Sequence, residues 1–367
     1  MNNKIISIHY LRGIAGLCVV LFHFRGYLNG VYAQKDLGAI LFNSGAFGVD
    51  LFFMISGFII ALSTQNTTSK AIFAIRRFFR IYPVFIIVFV IGALTVYGYD
   101  PSENILRGAF FIHRDYSIES PGFGYNVLGP AWTLSYEIYF YAIFVLAMSF
   151  SHKYRTLLSS IILITPIIVL QLYFNGGVSV SGTAAANVPV DNPAFSLLRF
   201  VSSPIIIEFA VGMLFYELYK RIYFTISNGV AMFIYFVCIG FFVTYYFSGN
   251  LNGFGLDRYG IISVTLLFGF LVYDKFIGFT ENRVLNFLGD ISFSIYISHY
   301  LFINLLNFYK PEFYVNTAGI AKFIMMIFIT ITAGTLLHIY IEKPFIRVGK
   351  SLETSMKRWR FNTGSAA

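Results

Sequence analysis

Ten apolar runs succeed one another along this chain, roughly at residues 5–24, 46–64, 81–99, 131–150, 157–174, 201–219, 229–248, 259–273, 289–308 and 318–341. A helix rising about 1.5 Å per residue needs about 20 apolar residues to cross a bilayer core of about 30 Å. Each run has roughly that length, the eighth being the shortest. Charged residues make up 12% of the 367 positions and hydrophobic ones 57%. Soluble domains carry about a quarter charged residues, so there is too little polar surface here to cover a globule in water. Lipid removes that need and obliges each span to satisfy its own backbone hydrogen bonds, as a helix does. The chain is therefore predicted to be an all-α integral membrane protein of about ten transmembrane helices, which excludes a soluble enzyme.

The net charge of +9 does not describe a nucleic-acid-binding face, because the basic residues cluster in short gaps between apolar runs. Such clusters mark the cytoplasmic side of a membrane protein. Arg76, Arg77, Arg80, Lys153, Arg155, Lys220 and Arg221 fall together when the N-terminus is placed inside. An even number of spans returns the basic C-terminal segment to the same side, so both termini are predicted to be cytoplasmic, with Lys4 inside. The N-terminal run resembles a signal peptide, but no small-x-small site follows promptly, and it is read as the first span. Two outer loops are long, about 100–130 with His113, Arg114, Asp115 and Glu119, and about 175–200 with Asp191. The 43 Phe and 26 Tyr are expected between helices and in the interfacial belts. Cys18 and Cys238 lie in apolar runs, with no CxxC or Cys/His spacing that would hold a metal.

Ionisable residues inside spans are expensive and usually face a partner or a polar cavity. Arg12 and His23 are 11 residues apart, about three turns plus roughly 20°, so they share one face of the first span, about 16 Å apart along it. A polar channel along that face explains both; an arginine reaching the inner interface and a histidine capping the outer end is the bland alternative. Asp50 opens the second span at a level similar to His23. It can orient an imidazole or simply sit at a helix N-terminus, where the dipole favours it. Arg76, Arg77 and Arg80 present guanidinium groups within one turn; such forks match phosphates, though a positive-inside anchor would look the same. Glu137 lies about two turns into the fourth span, where it accepts a proton, aligns His23, or makes a structural hydrogen bond. His299, near mid-membrane, is a further candidate and equally a core histidine. Glu342-Lys343-Pro344 reads as the end of the tenth span.

These motifs in this order resemble the bacterial membrane acyltransferase-3 family, in particular the O-acetyltransferases that decorate O-antigen and exopolysaccharide. The resemblance runs over nearly the whole chain: Arg12-x10-His23, the block from Gly48 to Gly57, Arg76 to Pro83, Trp132 to Glu137, Ser292 to His299, and Glu342-Lys343-Pro344. It implies a transmembrane acyltransferase domain over 1–345 and a basic cytoplasmic tail over 346–367, in a bacterial inner membrane. It also implies acetyl-CoA as a cytoplasmic co-substrate, no metal, and a saccharide hydroxyl as acceptor, lipid-linked or polymerised. Arg12, His23, Arg76, Arg77 and Arg80 are then functional candidates. His23 would act as general base or transient acyl carrier, Asp50 or Glu137 would orient it, and the arginines would hold the coenzyme. The competing reading is a flippase or transporter of a lipid-linked saccharide, with Arg12, Asp50 and Glu137 along its pathway. A third is a non-catalytic membrane assembly partner, which leaves the intramembrane charges unexplained.

Overall fold

The structure is a computed structural model describing residues 5–189 and 193–364; Lys4, Asp191 and the last three residues lie outside the described residues. Each apolar run is helical: α1 (Ile6–Phe24), α2 (Phe47–Ser63), α3 (Lys70–Thr95), α4 (Trp132–Phe150), α5 (Arg155–Asn175), α6 (Ile207–Arg221), α7 (Asn228–Ser248), α8 (Tyr259–Phe276), α9 (Arg283–Tyr309) and α10 (Gly319–Leu337). Among the described residues nine helical segments are long and apolar enough to cross a membrane. The pair Phe195–Val201 and Pro204–Arg221, bent by 46°, counts as a tenth if the two halves form one broken span rather than a re-entrant loop. That bend breaks the span predicted at 201–219, with Pro204 opening the second half. No strand forms among the described residues; an isolated antiparallel bridge joins Ser181 to Gly255.

Several boundaries differ from the sequence reading, and two of them have a local cause. The third helix begins at Lys70, a full three turns before its apolar run, because the Ser69 side chain caps it by accepting from the Ile72 amide. The tenth does not end at Glu342-Lys343-Pro344. It passes through a π turn, His338–Glu342, into a further helix, α11 (Lys343–Gly364). Pro344 lacks the amide hydrogen an α-turn would use, and the wider turn before it absorbs the interruption.

Helix α1 packs along α9 and α2, α2 on α6, α9 on α10, and α11 against the start of α3. The α1–α9 contact is backbone to backbone. A Cβ added at Gly13 would lie 2.7 Å from the Gly289 nitrogen, and one at Gly289 would lie 2.5 Å from the His9 carbonyl oxygen. Two hydrogen side chains let these helices touch, which sets the depth of every functional group they carry. Helices α5 and α7 expose many apolar side chains, among them Leu157, Ile161, Phe233, Phe236 and Val237. That face is stable against lipid and costly in water.

Candidate active site

The helices enclose two cavities that share walls. At the end of the bundle formed by the long loops, a wide cavity of about 750 Å³ is lined by His23, Tyr97, Trp132, Tyr300 and Asn304, with the loop residues Asp100, Arg114 and Tyr125. Its polar groups are held in place. Asn304 Nδ2 donates to the Tyr97 hydroxyl at 2.9 Å, and Arg114 Nη2 donates to both Asp100 carboxylate oxygens at 2.9 and 3.0 Å. Toward the opposite, basic end lies a narrow cavity of about 80 Å³ lined by Arg12, Ser56, Arg77, Arg80, Glu137, Tyr141 and Ser292. Val49 and Tyr296 line both. The Tyr296 hydroxyl lies 2.9 Å from the Thr133 hydroxyl and donates to the Pro130 carbonyl at 3.2 Å, which fixes this shared wall.

His23 lies in the wide cavity and its partner is another histidine. Its Nδ1 is 2.9 Å from the Val19 carbonyl oxygen and 3.2 Å from His299 Nε2. His299 Nδ1 in turn lies 2.7 Å from the Tyr296 carbonyl oxygen and 3.3 Å from that of Ile295. A carbonyl oxygen only accepts, so in each ring Nδ1 carries the hydrogen. The one His23 Nδ1–H is then shared between the Val19 carbonyl and the lone pair on Nε2 of neutral His299, and His23 is left with its own lone pair on Nε2. Tyr300 sets its ring edge-on to His23 at 5.5 Å between centroids. The outcome is an oriented imidazole whose basic nitrogen has no protein partner among the described residues.

The arginines divide their work. Arg12 Nη2 donates to Ser292 Oγ at 3.1 Å, directly across the α1–α9 contact. Arg77 donates to Ser63 Oγ at 2.8 Å and stands near the Phe73 and Tyr141 rings. Arg77 and Arg80 open both into the narrow cavity and into a cleft at the basic end, whereas Arg76 lines only the cleft.

Both carboxylates expected to orient His23 are elsewhere. Asp50 is fully buried, accepts the Gly255 amide hydrogen at 2.9 Å, and lies near the buried Glu208 of α6. Val49 faces the cavities; the next residue is about 100° further round the helix, so Asp50 turns toward the loop before α8. That bond ties Asp50 to the loop whose Phe254 lines the wide cavity. Glu137 lies in the narrow cavity with the arginines, accepting from Ser56 Oγ at 3.1 Å and from the Tyr141 hydroxyl. Neither is a hydrogen-bond partner of His23. Glu342, read as a helix terminus, is buried within the π turn and accepts from Ser294 Oγ at 2.8 Å, with His338 Nδ1 also 2.8 Å away.

Other groups at the site went unread in the sequence. Asn304, an amide inside an apolar run, carried a usable signal. Tyr97 and Tyr296 did not, because tyrosine is frequent throughout this chain. The Asp100–Arg114 pair joins two loop positions 14 residues apart with no helical spacing to connect them.

The chain is 28% identical over 339 residues to the exopolysaccharide production protein ExoZ of Rhizobium meliloti (strain 1021), covering 84% of this chain and 92% of that protein. It is 24% identical over 368 residues to the acyltransferase MdmB of Streptomyces mycarofaciens, covering 94% and 92% respectively. No solved structure matches the chain. The family model for the acyltransferase-3 domain matches residues 5–339, a stretch that includes His23, His299, all the arginines of the narrow cavity and nearly every helix described above. The chain therefore belongs to the acyltransferase-3 family of multi-pass membrane acyltransferases.

Proposed function

We propose that this protein transfers an acetyl group from acetyl-CoA, bound from the basic end, to a saccharide hydroxyl held in the wide cavity. The observation that carries the reading is the shared wall: the arginine-lined cavity and the His23 cavity meet at Val49 and Tyr296. Coenzyme A has an anionic nucleotide end and a long, thin, neutral arm. Arg76, Arg77 and Arg80 suit its phosphates, the narrow cavity past Arg12 suits the arm, and a thioester at the shared wall lies beneath His23. The Lys/Arg clustering supports a cytoplasmic basic end, where acetyl-CoA is found, and the family resemblance supports a bacterial inner membrane.

An acceptor hydroxyl in the wide cavity donates to His23 Nε2. As its oxygen attacks the thioester carbonyl, Nε2 takes the proton; the carbon–sulfur bond then breaks, and the proton passes from His23 to the departing thiolate. The His299 lone pair stabilises the intervening imidazolium through the Nδ1–H bond. The same Nε2 is the atom that would carry the acetyl group in a two-step route, and quenching a single turnover before acceptor is added separates the two.

A saccharide acceptor, lipid-linked or polymerised, is supported by the cavity lining and by the name of the Rhizobium relative. Aromatic rings offer faces to sugar C–H groups, and Asn304 with the Asp100–Arg114 pair offers donors and acceptors to hydroxyls. The test is transfer of label from radiolabelled acetyl-CoA into a lipid-linked saccharide extract by the purified protein in liposomes. Wild type should transfer, and His23→Ala should be slower by on the order of 10²–10⁴-fold while remaining folded. Equal transfer by the folded variant removes His23 from the mechanism. Saccharide translocation by wild type without consumption of any acyl-CoA would favour a flippase instead.

A further inference from the structure

Helix α11 closes the basic end of the donor path, and none of its residues has a part in the reaction above. Between it and α3 lies a cleft of about 260 Å³, walled by Arg76, Arg77 and Arg80 on one side and by Gly349, Lys350 and Glu353 on the other. Arg77 and Arg80 also line the narrow cavity, so these two side chains stand between cleft and cavity. Across the cleft Arg76 forks onto a carboxylate: its Nε and Nη2 donate to the two oxygens of Glu353 at 2.8 and 2.6 Å. Lys357, one turn along α11, donates to the same carboxylate at 2.6 Å. Arg80 and the Lys350 ammonium have no hydrogen bond or ion pair with any described residue.

We propose that Lys350 completes a phosphate-binding site with Arg76 and Arg80, and that Glu353 is a resident stand-in which the phosphate of the incoming donor displaces from Arg76. This inference rests on the acyl-CoA reading above. A carboxylate and a phosphate offer a guanidinium the same pair of oxygens, so what holds Glu353 there will hold phosphate. The cleft carries four cationic side chains against one carboxylate, an excess that suits a ligand with several negative charges. Displacement is cheap because Glu353 keeps Lys357 as a partner when Arg76 is taken. The ligand class is an acyl thioester on a nucleotide phosphate carrier. A bare pantetheine thioester, with no phosphate, has nothing to offer Arg76 or Lys350 and would leave Glu353 in place.

Calorimetric binding of coenzyme A and of pantetheine to the full-length protein in phosphatidylcholine nanodiscs tests this. Lys350→Ala should weaken coenzyme A binding about threefold to tenfold, and Glu353→Gln should tighten it by a similar factor. Neither should change pantetheine binding. Lys350→Ala removes no side-chain hydrogen bond of the fold, so it keeps the test decisive if Glu353→Gln is unstable. Wild-type affinity for coenzyme A in folded Lys350→Ala overturns the cleft assignment and leaves the donor reading standing. Absence of coenzyme A binding by folded wild type overturns the donor reading, and the cleft assignment with it. Anionic lipid headgroups share the phosphate chemistry. Loss of retained phosphatidylglycerol from Lys350→Ala in native mass spectrometry, with coenzyme A binding unchanged, would give the cleft to lipid and overturn the proposal.

Discussion

His23 and His299, 276 residues apart in sequence, lie with Nδ1 and Nε2 3.2 Å from each other. The pair takes the place that a carboxylate–histidine pair holds in many hydrolytic and transfer enzymes. A neutral imidazole accepts the Nδ1–H bond as a carboxylate would, without placing a negative charge in the membrane. Together with the Val19 carbonyl, 2.9 Å from the same Nδ1, it holds the ring with Nε2 unpartnered, the orientation that the proposed proton transfer uses.

The pair predicts how His299 variants behave. His299→Leu removes the side-chain acceptor and leaves the Val19 carbonyl as the remaining partner of Nδ1; it should lower kcat by about tenfold to 10²-fold with little change in either KM. His299→Gln places a side-chain oxygen within reach of the His23 Nδ1–H and should recover part of that loss. A histidine that only filled space would show the reverse order, since leucine fills it as well. Steady-state kinetics with both substrates varied gives the answer.

Asp50 should behave as an anchor for the loop before α8. Asp50→Asn keeps a side-chain oxygen for the Gly255 amide and should retain activity and melting temperature. Asp50→Ala leaves that buried amide unpaired at a cost of about 1–3 kcal/mol, and its activity should follow the folded fraction. If Asp50→Asn proved fully folded yet inactive in detergent melts and transfer assays, the carboxylate would have a part in the chemistry after all.

Asn304 should influence the acceptor and not the donor. It reaches the wide cavity from α9 with its amide held by Tyr97. Asn304→Ala is expected to raise the acceptor KM about fivefold to tenfold, the worth of one hydrogen bond to a hydroxyl. The KM for acetyl-CoA should stay unchanged. A shift in the acetyl-CoA KM alone would move the saccharide out of the wide cavity.

His113 makes stability pH-dependent from outside the spans. It is buried among the rings of Tyr116, Phe123, Tyr136 and Phe200, with centroids at 5.5, 5.5, 5.6 and 5.6 Å. That burial pulls its imidazole down to about 3. An unfolded histidine titrates near 6.5, so between about pH 6.5 and 3 the unfolded chain takes up a proton that the folded chain refuses. Stability is full above that window and falls as pH drops through it, by about 2 kcal/mol at pH 5. Melting temperature in detergent should fall between pH 7.5 and 5, and the fall should be smaller in His113→Leu.

The apolar helices, their order and the clustering of the arginines at one end were legible along the chain, because hydropathy and charge are properties of short windows. So was the shared face of Arg12 and His23, which needs only the helical period. The extension of α3 back to Lys70 was less visible: the Ser69 cap starts the helix well before its apolar run. The passage of α10 into α11 ran against the local signal of Lys343-Pro344, because a π turn accommodates the proline.

What only the tertiary structure decided is who meets whom. From sequence, Asp50 and Glu137 were the partners expected for His23, and the level of each along its helix allowed it. Level is not contact. Contact depends on how far each helix is rotated about its axis and how closely the axes approach, and both are set by packing between segments far apart in the chain. Gly13 against Gly289 brings α1 and α9 to backbone contact, delivering Ser292 to Arg12 and His299 to His23. The 100° step from Val49 to Asp50 carries the carboxylate out of the cavities and onto Gly255. A single sequence encodes the period of each helix locally, but the rotation of one helix against another is a property of the assembled bundle.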